Sequence, residues 1–228
     1  MSEDHKVAFE AAGKTLSLGF ASSADHIAHM IEQTGTFYEA EMLADARSRL
    51  FYPRCAVDVG AHVGNHTLYF AHTLGVRTFS FEPNPATFRH LEANVAGNGL
   101  AGLCTVRNAA VGAVTGLAHA EPASAENSGM ATVKLDPDGA IEVVSLDDEL
   151  AGEPAVDIIK IDVEGWELDV LRGSSHILEH HRPLLYVEVM EGEFDAVRRF
   201  LDAADYRCWK RFNVTPTFLF LPVERLAG

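Results

Sequence analysis

A glycine-bearing acidic loop carries the strongest chemical signal in the sequence. Residues 56–67 read AVDVGAHVGNHT, the pattern of a buried strand that ends in a turn and opens a helix. Gly60 and Gly64 let the backbone turn sharply and approach a ligand closely, and the amides at a helix start favour a carboxylate or phosphate. The pattern therefore predicts a small-ligand site at this loop.

This loop begins with an acid where a dinucleotide-binding loop would have glycine. A dinucleotide site needs GxGxxG, whereas the chain has DxGxxxG from Asp58 to Gly64. An aspartate there repels a pyrophosphate but suits a ligand that carries an ammonium group and a sulfonium. The alternative interpretation is that Asp58 only caps a strand-to-helix turn.

Two further polar residues follow the next predicted strands. Glu82 ends the strand that neighbours the loop, where its carboxylate could accept hydrogen bonds from both hydroxyls of a ribose. The alternative is that Glu82 caps the helix that starts at Pro85. Asn108, after the third strand, is the candidate contact for an adenine ring, with a plain turn as the alternative.

A second acidic group lies further along the chain, where a buried strand runs into DVEGWE. Lys160 and Asp162 are two residues apart and point to the same face, so they can pair or act on one acceptor group. An alcohol acceptor needs its proton removed, and we interpret Asp162 as a general base or metal ligand that Lys160 tunes. Glu188, at the end of the next apolar run, is placed to face Asp162. The alternative is a Lys-Asp pair that fixes a strand end. Histidine spacing supports no metal site, so we expect none.

The elements that must position these groups repeat from Cys55 onward as short apolar runs, turns and helical segments. This pattern predicts a doubly wound α/β fold with a Rossmann-like, mainly parallel sheet. We expect strands at 55–59, 77–82, 103–107, 156–161 and 183–189. We expect helices at 65–74, 85–97, 166–179 and 193–203.

Other segments fall outside this repeat. Residues 6–20 alternate in polarity and predict a hairpin, and residues 23–50 have helical spacing after an N-cap at Ser22 or Ser23. The weak periodicity of residues 112–145 predicts a segment of short strands in place of another crossover helix. Such a segment could cover a site.

The C-terminal stretch 206–222 predicts an antiparallel hairpin that finishes the sheet. We therefore divide the chain into an N-terminal hairpin and helical cap over residues 1–50 and a ligand-binding core over residues 51–228.

Charge and composition exclude several classes of partner. The chain has 18 Lys+Arg against 33 Asp+Glu, a net charge of -15 that opposes binding to nucleic acid or anionic lipid. Its three cysteines follow no CxxC pattern, which fits a reducing cytoplasm. No stretch approaches the roughly 20 apolar residues that cross a bilayer. We expect a cytoplasmic protein without nucleic-acid or membrane partners, with a homodimer as the possible assembly.

The sequence resembles the FkbM family of methyltransferases over about residues 36 to 190. The motifs that carry the resemblance are Phe37-Tyr38-Glu39, Asp58 to Gly64, Phe81-Glu82-Pro83-Asn84, Asn127-Ser128-Gly129, Ser145-Leu146-Asp147 and Ile161-Asp162-Val163-Glu164-Gly165, with the later Glu188.

The resemblance implies a class I fold, S-adenosylmethionine as donor, and O-methylation of a hydroxyl on a sugar-containing or small-molecule acceptor. It also implies that Asp162 and Glu188 face the acceptor. His62, Asn65 and His66 stand where such proteins often have asparagine and aromatic residues. The cofactor-binding residues that we expect are Tyr38, Glu39, Asp58, Gly60, His62, Gly64, Asn65, Glu82, Pro83, Asn108 and Ala109.

Three other functions are compatible with parts of the pattern. A ribose 2'-O-methyltransferase acting on RNA would use Lys160, Asp162 and Glu188, but the acidic composition opposes it. A cofactor-binding module without catalysis would keep only the donor loop. An NAD-dependent oxidoreductase is opposed by the missing first glycine.

Overall fold

The computed structural model describes residues 5–122, 131–190 and 192–226. The motif Asn127-Ser128-Gly129 lies outside these ranges. Contacts within the chain divide it into two units, Met1–Arg107 and Asn108–Gly228. The division after residue 50 stays a prediction.

The first unit opens with the predicted hairpin. Strand β1 (His5–Ala11) pairs antiparallel with β2 (Lys14–Phe20). The outer edge of β2 is held by helix α4 (Pro85–Gly97) and the residue after it, because Asn94 and Asn98 hydrogen-bond the backbone of Gly19 and Ser17.

The helical stretch that follows is two helices rather than one. Helix α1 (His26–Thr34) ends at Gly35, whose φ of 67° lies in the left-handed region that glycine adopts readily, and α2 (Ala40–Arg49) begins after a short loop. The predicted N-cap at Ser22 or Ser23 is wrong. Asp25 is the cap, because its carboxylate accepts hydrogen bonds from the amides of Ile27 and Ala28.

Three parallel strands form the sheet of the first unit, in the order β3 (Cys55–Val59), β4 (Arg77–Phe81) and β5 (Cys104–Arg107). Every residue of β3 is buried, as expected of a strand covered on both faces. Helix α3 (Asn65–Leu68) follows β3 and continues as a π-helical stretch, Tyr69–Leu74. The helices predicted at 65–74 and 85–97 are thus present, the first with altered winding.

The second unit begins with the predicted segment of short strands. These are β6 (Ala110–Val111), β7 (Gly116–Pro122), β8 (Ala131–Leu135) and β9 (Ile141–Val144), in the sheet order β6-β9-β7-β8. Helix α5 (Leu146–Glu149) follows, with Ser145 as its N-cap.

The remaining strands of the second unit are two parallel strands and the predicted C-terminal hairpin. Strand β10 (Ile158–Ile161) pairs parallel with β11 (Leu184–Glu188). Beyond β11 lie β13 (Thr217–Pro222) and then β12 (Tyr206–Phe212), each antiparallel to its neighbour. The fold class is α/β, as predicted: β3, β4 and β5 are parallel, β10 and β11 are parallel, and the C-terminal hairpin is antiparallel.

The prediction of one helix at 166–179 is wrong, because the structure has two shorter helices there. They precede α8 (Phe194–Ala203). Helix α6 (Glu167–Arg172) and helix α7 (Ser175–His180) are separated at Gly173, where a Cβ atom would lie 2.0 Å from the carbonyl oxygen of Gly112. The carboxylate of Asp147 then accepts hydrogen bonds from the amides of His176 and Ile177, at 2.9 and 3.0 Å, in the first turn of α7.

Within the described ranges, no helix combines the length and the apolar composition that crossing a membrane would need.

Candidate functional site

The glycine-bearing turn after β3 folds back onto the end of β4. The amides of Gly60 and Ala61 both donate to the carbonyl oxygen of Phe81, at 3.0 and 2.9 Å. Gly60 and Gly64 have φ values of 78° and 98°, which a residue with a Cβ adopts only with strain. The two glycines are required by backbone conformation at this turn.

Asp58 lies beneath the turn and has no exposed surface. Its Oδ2 atom accepts a hydrogen bond of 2.6 Å from the Thr67 hydroxyl, which lies 2.8 Å from the Ser80 hydroxyl. The carboxylate therefore ties the end of β3 to α3. A contact between Asp58 and a cofactor stays a prediction.

Glu82 is buried at the end of β4, with both carboxylate oxygens directed at backbone amides. Oε2 accepts from the amide of His62 at 3.0 Å, and Oε1 accepts from the amide of Asn84 at 2.8 Å. The side chain of Asn84, not that of Glu82, caps α4 by accepting from Ala86. The helix-cap interpretation of Glu82 is therefore wrong. A carboxylate oxygen can accept more than one hydrogen bond, so this geometry is compatible with a ribose diol.

The segment before α2 is bound to the first turn of α3. Asn65 accepts from the Tyr38 amide at 3.0 Å and donates to the Tyr38 carbonyl oxygen at 3.1 Å. Nε2 of His66 lies 2.9 Å from Oε2 of Glu39. Tyr38, Glu39 and Asn65, all expected among the cofactor-binding residues, are thus in one place.

The remaining predicted donor residues lie around the same loops or begin the second unit. His62 is half-buried with a φ of 50°, and Pro83 is half-buried after β4. Asn108 is exposed and Ala109 fully buried, between β5 and β6 in the sequence. Their contacts with a cofactor stay predictions.

In the second unit, a buried lysine pairs with an aspartate beyond the end of β10. Lys160 has no exposed surface, and its Nζ lies 3.3 Å from Oδ2 of Asp162. A buried ammonium group needs such a partner because its desolvation is costly. The predicted pair is therefore formed.

Asp162 is one of three clustered carboxylates. Asp162, Glu164 and Glu188 each place an oxygen within 4.8 Å of the others. This brings together two residues expected from the sequence and one, Glu164, that sequence reasoning left unassigned. Oxygens at this spacing suit a shared proton or a divalent cation, and the expectation that no metal takes part stays a prediction.

Glu164, a member of this cluster, and Glu167, which follows it in the sequence, have raised pKa values. Burial, followed by the charge of Asp162, raises the pKa of Glu164, although Lys160 opposes the shift. Burial also raises the pKa of Glu167, although a hydrogen bond of 2.8 Å from the Gly165 amide opposes it. Glu164 and Gly165 belong to one of the motifs that carry the family resemblance. The signal that could have identified Glu164 was its place two residues after Asp162 and four after Lys160.

Comparison with known proteins places the chain among methyltransferases. A model described as the methyltransferase FkbM domain matches residues 58–208. The hexuronic acid methyltransferase AglP of Haloferax volcanii is 32% identical over 124 residues, which cover 54% of this chain and 50% of that protein. The chain thus spans about half the length of the curated relative that it matches.

Solved structures show the same fold. The methyltransferase FkbM of Methylobacillus flagellatus superimposes with a TM-score of 0.57 at 20% identity, over 77% of this chain and 46% of that one. A methyltransferase of Geobacter sulfurreducens gives a TM-score of 0.54 at 16% identity, over 88% and 92%. The fold is that of class I methyltransferases.

Proposed function

Because this chain belongs to the FkbM methyltransferase family, we propose that it transfers a methyl group from S-adenosylmethionine to a hydroxyl oxygen of a sugar-containing or small-molecule acceptor. The observation that carries the proposal is the Lys160–Asp162 pair, which sets a carboxylate at the end of a buried strand beside two further carboxylates.

The groups of the first unit fit S-adenosylmethionine as the donor. A ribose diol suits the buried carboxylate of Glu82, and the turn between Gly60 and Gly64 permits close approach of backbone to ligand. Tyr38 and Glu39 contact the first turn of α3, the helix that follows this turn. When bound, S-adenosylmethionine supplies a methyl group attached to a positively charged sulfur.

The carboxylate of Asp162 accepts the proton of the acceptor hydroxyl in this proposal. An alcohol is a poor nucleophile until its proton is removed, so a positioned carboxylate accelerates its reaction. Lys160 fixes the orientation of Asp162 by pairing with Oδ2. Asp162 is partly exposed, at 32% of its side chain, so an acceptor can reach it, whereas Lys160 is buried.

A hydroxyl suits this cluster better than a carboxylate. The named substrate of the Haloferax relative, a hexuronic acid, carries both kinds of oxygen. An acceptor carboxylate beside Asp162, Glu164 and Glu188 would be repelled by three acids at close range. It would also need no base, since a carboxylate is already ionised near neutral pH. We therefore expect a methyl ether rather than a methyl ester.

Turnover with radiolabelled S-adenosylmethionine and a panel of sugars and uronic acids tests the proposal. Asp162→Asn should lower turnover by roughly 10²- to 10⁴-fold while S-adenosylhomocysteine still binds. Asp157→Asn, just before the start of the same strand, is the matched control and should keep turnover within about twofold of wild type. Unchanged turnover in Asp162→Asn would remove it from the reaction.

The stability of the product to mild alkali tests the acceptor atom. A methyl ether keeps its label under conditions that hydrolyse a methyl ester. Complete release of label by alkali would show that the acceptor atom is a carboxylate oxygen, and the role of Asp162 as base would fail with it.

The acidic composition supports a small molecule or glycan as acceptor rather than RNA. Methylation of RNA in a filter assay would overturn that choice. Binding of NAD in place of S-adenosylhomocysteine would favour an oxidoreductase, and binding without turnover a non-catalytic module. A cytoplasmic location and a homodimer stay predictions.

A further inference from the structure

We propose that Asn65 is a positioning residue of the donor site, which holds the Tyr38–Glu39 segment beside the glycine-bearing turn and does not itself contact the donor. The inference rests on the proposed function, because the donor is taken to be S-adenosylmethionine. It changes the role of Asn65 from the direct contact that the sequence suggested.

The side chain of Asn65 is directed at the backbone of one residue. Its Oδ1 accepts from the Tyr38 amide at 3.0 Å, and its Nδ2 donates to the Tyr38 carbonyl oxygen at 3.1 Å. The two bonds satisfy both backbone polar groups of Tyr38. Asn65 is 3% exposed, which leaves almost none of its surface for a ligand to touch.

One more contact joins α3 to this segment, and a second joins the π-helical stretch after α3 to α2. Nε2 of His66 lies 2.9 Å from Oε2 of Glu39, and the Tyr69 hydroxyl donates to the Leu43 carbonyl oxygen at 2.9 Å. Glu39 has a φ of 59°, a left-handed conformation that costs about 1 kcal/mol or more for a residue with a Cβ. A backbone in that conformation has to be held by its surroundings, and Asn65 holds the residue directly before it.

A second buried asparagine in the first unit makes the same type of contact elsewhere. Oδ1 of Asn98 accepts from the Ser17 amide at 2.9 Å, and its Nδ2 donates to the carbonyl oxygens of Ser17 and Asn94, both at 2.7 Å. Asn98 therefore anchors the hairpin, whereas Asn65 anchors the segment that carries Tyr38. None of these three bonds involves the glycine-bearing turn, so Asn98→Ala is a matched control.

Calorimetric titration with S-adenosylhomocysteine is the first test, run as a double-mutant cycle. Asn65→Ala and Tyr38→Ala should each weaken binding by about tenfold, and the double variant should be little weaker than either. Such non-additivity is expected because Asn65 acts through Tyr38. Asn98→Ala should bind S-adenosylhomocysteine within about twofold of wild type, even where it lowers the melting temperature as much as Asn65→Ala does.

Hydrogen exchange of the chain without ligand is the second test. The Tyr38 amide should exchange faster than in wild type in Asn65→Ala and at the wild-type rate in Asn98→Ala, while the Ser17 amide should show the reverse. Unchanged exchange at Tyr38 in Asn65→Ala would overturn the positioning role.

The outcomes separate the two proposals. If the wild-type chain binds S-adenosylhomocysteine and Asn65→Ala binds it equally well, only the positioning role fails. Full additivity in the cycle, about a hundredfold loss in the double variant, would mean that Asn65 does not act through the Tyr38 side chain and would overturn that part of the proposal. If the wild-type chain does not bind S-adenosylhomocysteine, the proposed donor fails and the role of Asn65 fails with it.

Discussion

The Nζ atom of Lys160 lies 3.3 Å from Oδ2 of Asp162, and the lysine is buried while the aspartate is partly exposed. Burying an unpaired ammonium group costs free energy. The buried lysine of this strand therefore needs the acid at the strand's end as its partner. The arrangement fixes one oxygen of Asp162 toward the protein. It leaves the carboxylate at a surface that an acceptor can reach.

Replacing Lys160 by methionine, which has a similar shape without the charge, should lower both turnover and stability. We expect roughly a tenfold or greater fall in kcat, because Asp162 loses the group that orients it, and a loss of about 1–3 kcal/mol in the free energy of unfolding. Steady-state kinetics and urea unfolding measure the two effects. Lys210→Met, on the exposed strand β12, is the control, and equal kcat values in the two variants would contradict the prediction.

The raised pKa of Glu164 predicts a pH-dependent effect of Glu164→Gln on stability. A carboxyl group whose pKa rises on folding binds its proton more tightly in the folded chain, so its contribution to the unfolding free energy falls as the pH rises from its ordinary pKa through the raised value. Glutamine does not titrate. The variant should therefore gain stability relative to wild type as the pH rises across that window.

Urea unfolding at about pH 4, 5, 6 and 7 measures this difference for Glu164→Gln. The exposed Glu92 on α4 supplies the control variant, Glu92→Gln, whose difference from wild type should stay nearly constant. A Glu164→Gln variant that lost stability relative to wild type with rising pH would show that the shift has the opposite sign.

The central strands could be predicted from sequence because both of their faces are buried. Strand β3 is observed at Cys55–Val59, where its mostly apolar run placed it, and α4 has the predicted bounds because Pro85 and Asn84 mark its start. The break at Gly173 could not be predicted. It depends on the approach of the Gly112 carbonyl oxygen, which is distant in sequence.

The site was predicted less completely than the fold. The position of Glu82 followed from the order of the strands, but its hydrogen bonds with the amides of His62 and Asn84 depend on how two loops fold. Asp58 is buried and bound by Thr67, which the sequence did not indicate, and its contact with a ligand stays a prediction. Spacing along a chain shows which side chains reach the same edge of a sheet, but not which of them stay accessible once neighbouring loops pack.

Gly173→Ala should destabilise the second unit strongly. A Cβ atom at this position would lie 2.0 Å from the Gly112 carbonyl oxygen, a backbone atom that cannot move without shifting the strand region around it. We expect a loss of about 3 kcal/mol or more, the upper end for overpacking. Thermal unfolding checks this, with Gly152→Ala as the control because a Cβ there meets no atom within 4 Å. Equal melting temperatures would contradict the close approach.

Thr67→Val should show how far the turn depends on the buried charge of Asp58. Valine keeps the shape of threonine but removes the hydroxyl that donates to Asp58 at 2.6 Å. Hydrogen bonds to charged groups contribute about 1.5–3 kcal/mol, whereas bonds between neutral groups contribute about 0.5–1.5 kcal/mol. Ser80→Ala, which removes only the contact between the two hydroxyls, should therefore cost less.

Chemical denaturation of the two variants, beside wild type, gives both costs. If Thr67→Val costs the larger amount, the buried carboxylate of Asp58 depends on the hydroxyl of α3, and the start of that helix is fixed to β3 by charge as well as by packing. If Ser80→Ala costs as much or more, the hydroxyl contact outweighs the charge, and Asp58 would have to be stabilised chiefly by other groups at the end of β3.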